Sequence, residues 1–197
     1  MTARIRTDAI QILDQWSPRA TDASDSTGLE LEIVGLFDQM RDRILRYSLT
    51  FGLSAADAEE VVQDVFLALY QHLARSKSRE GIRNWLFRVT HNLSLKRRAA
   101  VSRASGQTMT SDAGGASISI ADPGPNPEDQ YAFRQRRDRL RSVVDALPQM
   151  DRECLYLRAE GFRYREIAGV MGISLGSVAN SLARSLSRLA AADERVR

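Results

Sequence analysis

Five polar side chains near the C-terminus, Ser177, Asn180, Ser181, Arg184 and Arg188, share one helix face in the stretch YREIAGVMGISLGSVANSLARSLSRL, residues 164–189. Their chemistry suits nucleic acid. An arginine pairs bidentately with guanine or bonds a phosphate, an asparagine pairs with adenine, and serine hydroxyls suit phosphate oxygens. Arg184 and Arg188 stand four apart, one above the other. Arg163 and Arg165, at the start of the preceding helix, would lie near the backbone of a bound duplex. At about 100° per residue, Leu175, Val178, Leu182, Leu186 and Leu189 fall in a separate arc and are expected to be buried.

Two further sets of side chains lie upstream. In IRNWLFRVTHNLSLKRRAA, Asn84, Arg88, His91, Asn92 and Arg98 project away from an apolar face of Ile82, Trp85, Leu86, Val89 and Leu93. Lys96, Arg97 and Arg98 close that helix, and the loop before it, RSKSREG, adds Lys77 and Ser78. Cations for phosphate with Asn and His for base edges make a nucleic-acid surface; cations ending a helix also simply complement its dipole. In AADAEEVVQDVFLALYQHLA, Asp57, Glu60, Gln63 and Asp64 form an acidic face with Leu67 in its middle. Such a face is either solvated or a protein-docking surface.

These residues need helices to position them. Ala58, Val62, Val65, Phe66, Leu69 and Leu73 recur at helical spacing behind the acidic face, with Ser54 as N-cap and Gly52 ending an earlier helix from about Leu29 to Phe51. The C-terminal quarter reads as four helices. Pro148 ends the first, Asp151 can cap the second, RECLYLRAE, and Gly161 ends it. Ile167, Ala168, Gly172, Ile173 and Val178 then have the spacing of a helix-turn-helix: a small residue where the helices touch, Gly at the turn, Ser174 as the next N-cap, and apolar residues locking the angle. No alternating run suggests a sheet. The expected fold is all-α, with two small helical domains on a flexible linker, the C-terminal one a helix-turn-helix. Residues 1–28 form an N-terminal extension, 29–100 the first domain, 101–133 a linker rich in Ser, Gly, Ala and Pro, and 134–197 the second domain.

Charge follows the same division. Residues 33–100 hold eleven Lys/Arg against seven acids and residues 134–197 thirteen Arg against eight, while 1–32 and 101–133 are net acidic. Two basic blocks suit a polyanionic partner. The N-terminus lacks the apolar core of a signal peptide and no run approaches the ~20 apolar residues that span a bilayer, so a cytoplasmic protein without membrane insertion is expected. The single Cys154 sits among apolar residues and reads as a buried thiol. Two His and one Cys offer no metal constellation, and no phosphate-cradling Gly loop occurs, so neither cofactor nor enzyme is expected.

The order of these elements is specific: an acidic-faced helix, a basic loop, a Trp-bearing helix ending in cations, a tether, then a helix-turn-helix. It resembles the extracytoplasmic-function (ECF) group of bacterial RNA polymerase sigma factors over roughly residues 30–100 and 136–191. The resemblance implies that Asp57, Glu60, Gln63, Asp64 and Leu67 bind the clamp helices of the β′ subunit of core RNA polymerase. It implies that Lys77, Ser78, Asn84, Arg88, His91, Asn92, Lys96, Arg97 and Arg98 hold the melted −10 strand. The helix-turn-helix would read the −35 element of promoter DNA with Arg163, Arg165, Ser177, Asn180, Ser181, Arg184 and Arg188, and touch the β flap. An anti-sigma factor is a further implied partner. Two departures stand out. Lys96 follows NLSL where relatives often have Asp, and Ala179 and Ser181 stand where Lys and Arg are common. A recognition helix with two fewer cations should bind DNA more weakly and with a shallower salt dependence. The alternative reading is a stand-alone helix-turn-helix regulator, which leaves the acidic face and the basic Trp-bearing helix without a purpose.

Overall fold

The computed structural model describes residues 23–75, 79–105 and 127–194, and every regular element among them is a helix. The first domain is α1 (Ala23–Leu49), α2 (Ala55–Arg75) and α3 (Ile82–Ser105); the second is α4 (Pro127–Asp145), α5 (Gln149–Ala159), α6 (Tyr164–Met171) and α7 (Leu175–Glu194). Helix α1 starts six residues ahead of its expected position. Helix α3 runs on to Ser105 and α4 begins at Pro127, so the stretch expected as linker carries helix at both ends. Residues 1–22, Lys77, Ser78 and residues 106–126 lie outside the described residues.

Local signals set most of the first domain. The chain leaves α1 through Gly52 at φ 75°, and the Ser54 hydroxyl accepts from the Asp57 N–H at 3.1 Å to start α2. Helix α2 buries Ala58, Val62, Val65, Phe66, Leu69 and Leu73, the face its periodicity predicts, and Val61 beside them. Phe66 meets Phe37 of α1 edge-on at 4.8 Å. In the second domain Leu147, Cys154, Leu157, Phe162, Ile167, Val178 and Leu182 fill the core, and the Cys154 thiol is buried as expected, 3.5 Å from the Met171 sulfur.

The domains do not stand apart on a tether. Phe87 of α3 and Phe162, just before α6, are both fully buried and meet edge-on at 4.9 Å. Tyr47 of α1 stacks on Tyr156 of α5 at 5.5 Å, and the Tyr156 hydroxyl donates to the Arg43 carbonyl at 2.8 Å. Arg83 lies 4.3 Å over the Phe162 ring and donates to the Glu160 carbonyl. One hydrophobic core therefore runs from Met40 through to Leu182. Burying each such phenylalanine contributes roughly 1.5–3 kcal/mol, so this contact is part of the fold rather than a grazing encounter.

Candidate nucleic-acid and polymerase interfaces

The helix-turn-helix is built by caps and a left-handed turn. The Arg163 N–H donates to the Glu166 carboxylate at 2.7 Å to open α6. Gly172 closes it at φ 68°, with the Ile173 N–H donating to the Ala168 carbonyl at 3.2 Å. A Cβ at Gly172 would meet nothing within 4 Å, so the demand for glycine is conformational alone. The Ser174 hydroxyl then accepts from the Ser177 N–H at 3.1 Å and starts α7. The chain bends by 108° between the two helices, within the range a helix-turn-helix needs. Ile167, Val170, Met171, Val178 and Leu182 are buried at the junction.

The faces of α7 differ from expectation in a definite way. Asn180, Arg184, Ser187 and Arg188 are exposed, Ser177 is half-buried, and Arg163 and Arg165 are exposed beside them. Ser181 is fully buried: its hydroxyl donates to Oδ1 of Asp151 at 2.5 Å. Ser185 is buried as well, bonded to the Ser181 carbonyl at 2.9 Å. Leu175 and Leu186, expected in the core, are 47% and 54% exposed. The buried stripe is rotated toward the two serines because α4 and α5 pack there, and small side chains let the helices approach. Asp151 is not a cap. It lies in the first turn of α5, three residues before Cys154 and six before Leu157, and that spacing already places it on the buried face.

Arg184 closes the same cluster, its Nη2 donating to Asp151 Oδ1 at 2.7 Å and its Nε to Oδ2 at 3.2 Å. Burial would raise the Asp151 carboxyl, but the Arg184 guanidinium and Ser181 hydroxyl outweigh it and hold the group below the ordinary carboxylate range.

On α3, Asn92 and Lys96 are exposed and Arg98 is half-buried. Asn84 instead reaches Glu166 of α6 at 3.3 Å, and Arg88 donates from Nε to the Gly169 carbonyl at 3.2 Å, so both are spent on the second domain. Arg97 turns back onto α2, 2.7 Å from Asp57 and 2.6 Å from Glu60. His91, expected to project, is buried with Nδ1 3.0 Å from the Tyr47 hydroxyl and 3.8 Å from Glu153 of α5. The face carrying Phe87, Thr90, His91 and Ser94 is covered by α1 and by the second domain, which the periodicity of α3 alone does not reveal. Burial lowers His91 to about 4 and raises Glu153 to about 7. Trp85 is half-buried and stacks on His72 at 4.6 Å.

On α2, Glu60, Gln63, Asp64 and Leu67 form a contiguous exposed face, with Leu67 at 55% exposure. Asp57 is largely withdrawn from it: the Ser54 hydroxyl, helped by Arg97 against the cost of burial, holds its carboxyl below the usual range.

Two family matches fall on these domains: sigma-70 region 2 on residues 36–104 and sigma-70 region 4 on residues 137–189. The chain is similar to the RNA polymerase sigma factor CnrH of Cupriavidus metallidurans, 32% identical over 149 residues, which cover 72% of this chain and 76% of CnrH. The chain belongs to the ECF RNA polymerase sigma factors. The ECF sigma factor EcfG of Rhodopseudomonas palustris is 27% identical over 168 residues, 79% of this chain and 86% of EcfG. The solved structure of the Bartonella quintana sigma factor RpoE with the anti-sigma factor NepR superposes with a TM-score of 0.63 at 17% identity, covering 84% of this sigma factor and 99% of that chain. This sigma factor thus serves transcription initiation with core RNA polymerase and promoter DNA, and the stand-alone regulator is set aside.

Proposed function

We propose that this sigma factor divides its work among three exposed helix faces. Glu60, Gln63, Asp64 and Leu67 of α2 dock on the β′ clamp helices. Asn92, Lys96 and Arg98 of α3, joined by Asn84 and Arg88 once α6 moves off them, hold the melted −10 strand. Arg163, Arg165, Asn180, Arg184 and Arg188 contact the −35 duplex while the second domain touches the β flap. The protein works in the cytoplasm with polymerase. Its likeness to RpoE, which NepR binds, supports an anti-sigma partner.

The observation that carries this reading is the left-handed Gly172 turn, which holds α6 and α7 at 108° and leaves Asn180, Arg184 and Arg188 facing outward together. Run-off transcription with core polymerase tests it. Arg184→Ala should lower initiation from a −35-dependent promoter about tenfold, the scale of one lost bidentate contact. Unchanged initiation would remove α7 from the promoter contact.

A further inference from the structure

Of the two arginines on the exposed face of α7, Arg184 is the one hydrogen-bonded to a buried carboxylate. Asp151 is 0% exposed, whereas the Arg184 side chain is 51% exposed. Both carboxylate oxygens are occupied: Oδ1 accepts from the Ser181 hydroxyl and from Arg184 Nη2, and Oδ2 accepts from Arg184 Nε. Ser181 sits in the same helix one turn before Arg184, so the carboxylate is itself fixed against the helix that carries the arginine. A guanidinium is planar and has five N–H donors. Asp151 takes the Nε–H and one Nη2–H. The two Nη1 donors and the second Nη2 donor are not taken by Asp151, the side chain is 51% exposed, and the outer Nη1–Nη2 edge of a guanidinium fits guanine O6 and N7.

From this geometry we infer that Asp151 is a positioning residue for −35 recognition: it fixes the Arg184 guanidinium so that one donor edge is presented to a base pair. The inference rests on the proposed −35 role of α7. A free arginine samples many rotamers, and ordering it on contact with DNA costs affinity and lets it settle on a phosphate as readily as on a base. Arg184 has already lost that freedom. A single ordered arginine also suits a recognition helix that has Ala179 and Ser181 where relatives often carry cations. In such a helix discrimination depends on how well each remaining cation is aimed. Arg188 meets the same carboxylate through charge alone and is left as a phosphate contact.

The test is selection of a randomised −35 element by holoenzyme, with Arg184→Ala, Asp151→Asn and both together. Arg184→Ala should erase the preference at one base pair. Asp151→Asn keeps the side-chain shape but removes the charge and one acceptor; it should flatten the same base pair by about tenfold, leave the other positions intact, and add nothing to Arg184→Ala. If Arg184→Ala changes no position, the −35 role of α7 fails. If Arg184→Ala acts but Asp151→Asn does not, or if Asp151→Asn weakens all positions alike, the positioning role fails. Should Asp151→Asn not fold, the Nε–H NMR signal of Arg184 in the full-length protein decides. A restricted, exchange-protected signal supports the inference, and a freely mobile one overturns it.

Discussion

His91 and Glu153 are ionisable side chains buried in the interior, and burial displaces their titration in opposite directions. Each is buried at the junction of the domains, 3.8 Å from the other. Folded His91 stays neutral down to about pH 4, while its unfolded form charges near 6.5, so its contribution is lost as pH falls through that window. Folded Glu153 stays protonated up to about pH 7, while its unfolded form ionises near 4.5, so its contribution is lost as pH rises. The two slopes have opposite sign and nearly cancel between pH 4.5 and 6.5. Single substitutions should expose them. His91→Gln should lose stability as pH rises from 5 to 7.5, and Glu153→Gln should gain it, each by roughly 3 kcal/mol at full effect. Urea midpoints measured across pH check this, and parallel slopes in the two variants would contradict it. Helical periodicity places His91 and Ser181 on solvent faces. Both are polar side chains used in the interior, His91 under the second domain and Ser181 against Asp151, and a helical wheel cannot tell a polar group facing water from one facing a buried partner.

The individual helices were largely legible. The apolar spacing of α2 and the caps at Ser54, Gly172 and Ser174 are local signals, and each does in the fold what its chemistry requires. Helix ends were less so, because Ser105 and Pro127 lie in a stretch whose Ser, Gly and Pro content masks helix. Gly172→Ala should cost about 1 kcal/mol, since a Cβ is disfavoured at φ 68°, and should tilt α7 against α6. Thermal unfolding measures the first effect, and loss of −35 preference the second. On α2, Asp64→Lys with Leu67→Ala should weaken core polymerase binding at least tenfold without moving the thermal midpoint, because both side chains are exposed. A titration with core polymerase checks this, and unchanged affinity would remove the docking face.

At the scale of the whole molecule, the packing of α6 on α3 was invisible to the sequence. It depends on contacts far apart in the chain, such as Phe87 with Phe162 and Asn84 with Glu166. It also has a consequence for mechanism. The −35 and −10 elements are about 25 bp apart, roughly 85 Å of duplex, whereas a globule of this length is about 40 Å across. Domains in contact cannot reach both elements, and Asn84 and Arg88 are occupied while they touch. On the proposed assignment of the two promoter elements, the domains part on polymerase while staying covalently joined, which keeps the −35 reader at high effective concentration. The most direct measurement is energy transfer between dyes on exposed α3 position 100 and exposed α7 position 187. Transfer should be efficient in the free protein and fall sharply when core polymerase is added, toward the separation of the two promoter elements. Efficient transfer retained in a holoenzyme that initiates transcription would contradict the account.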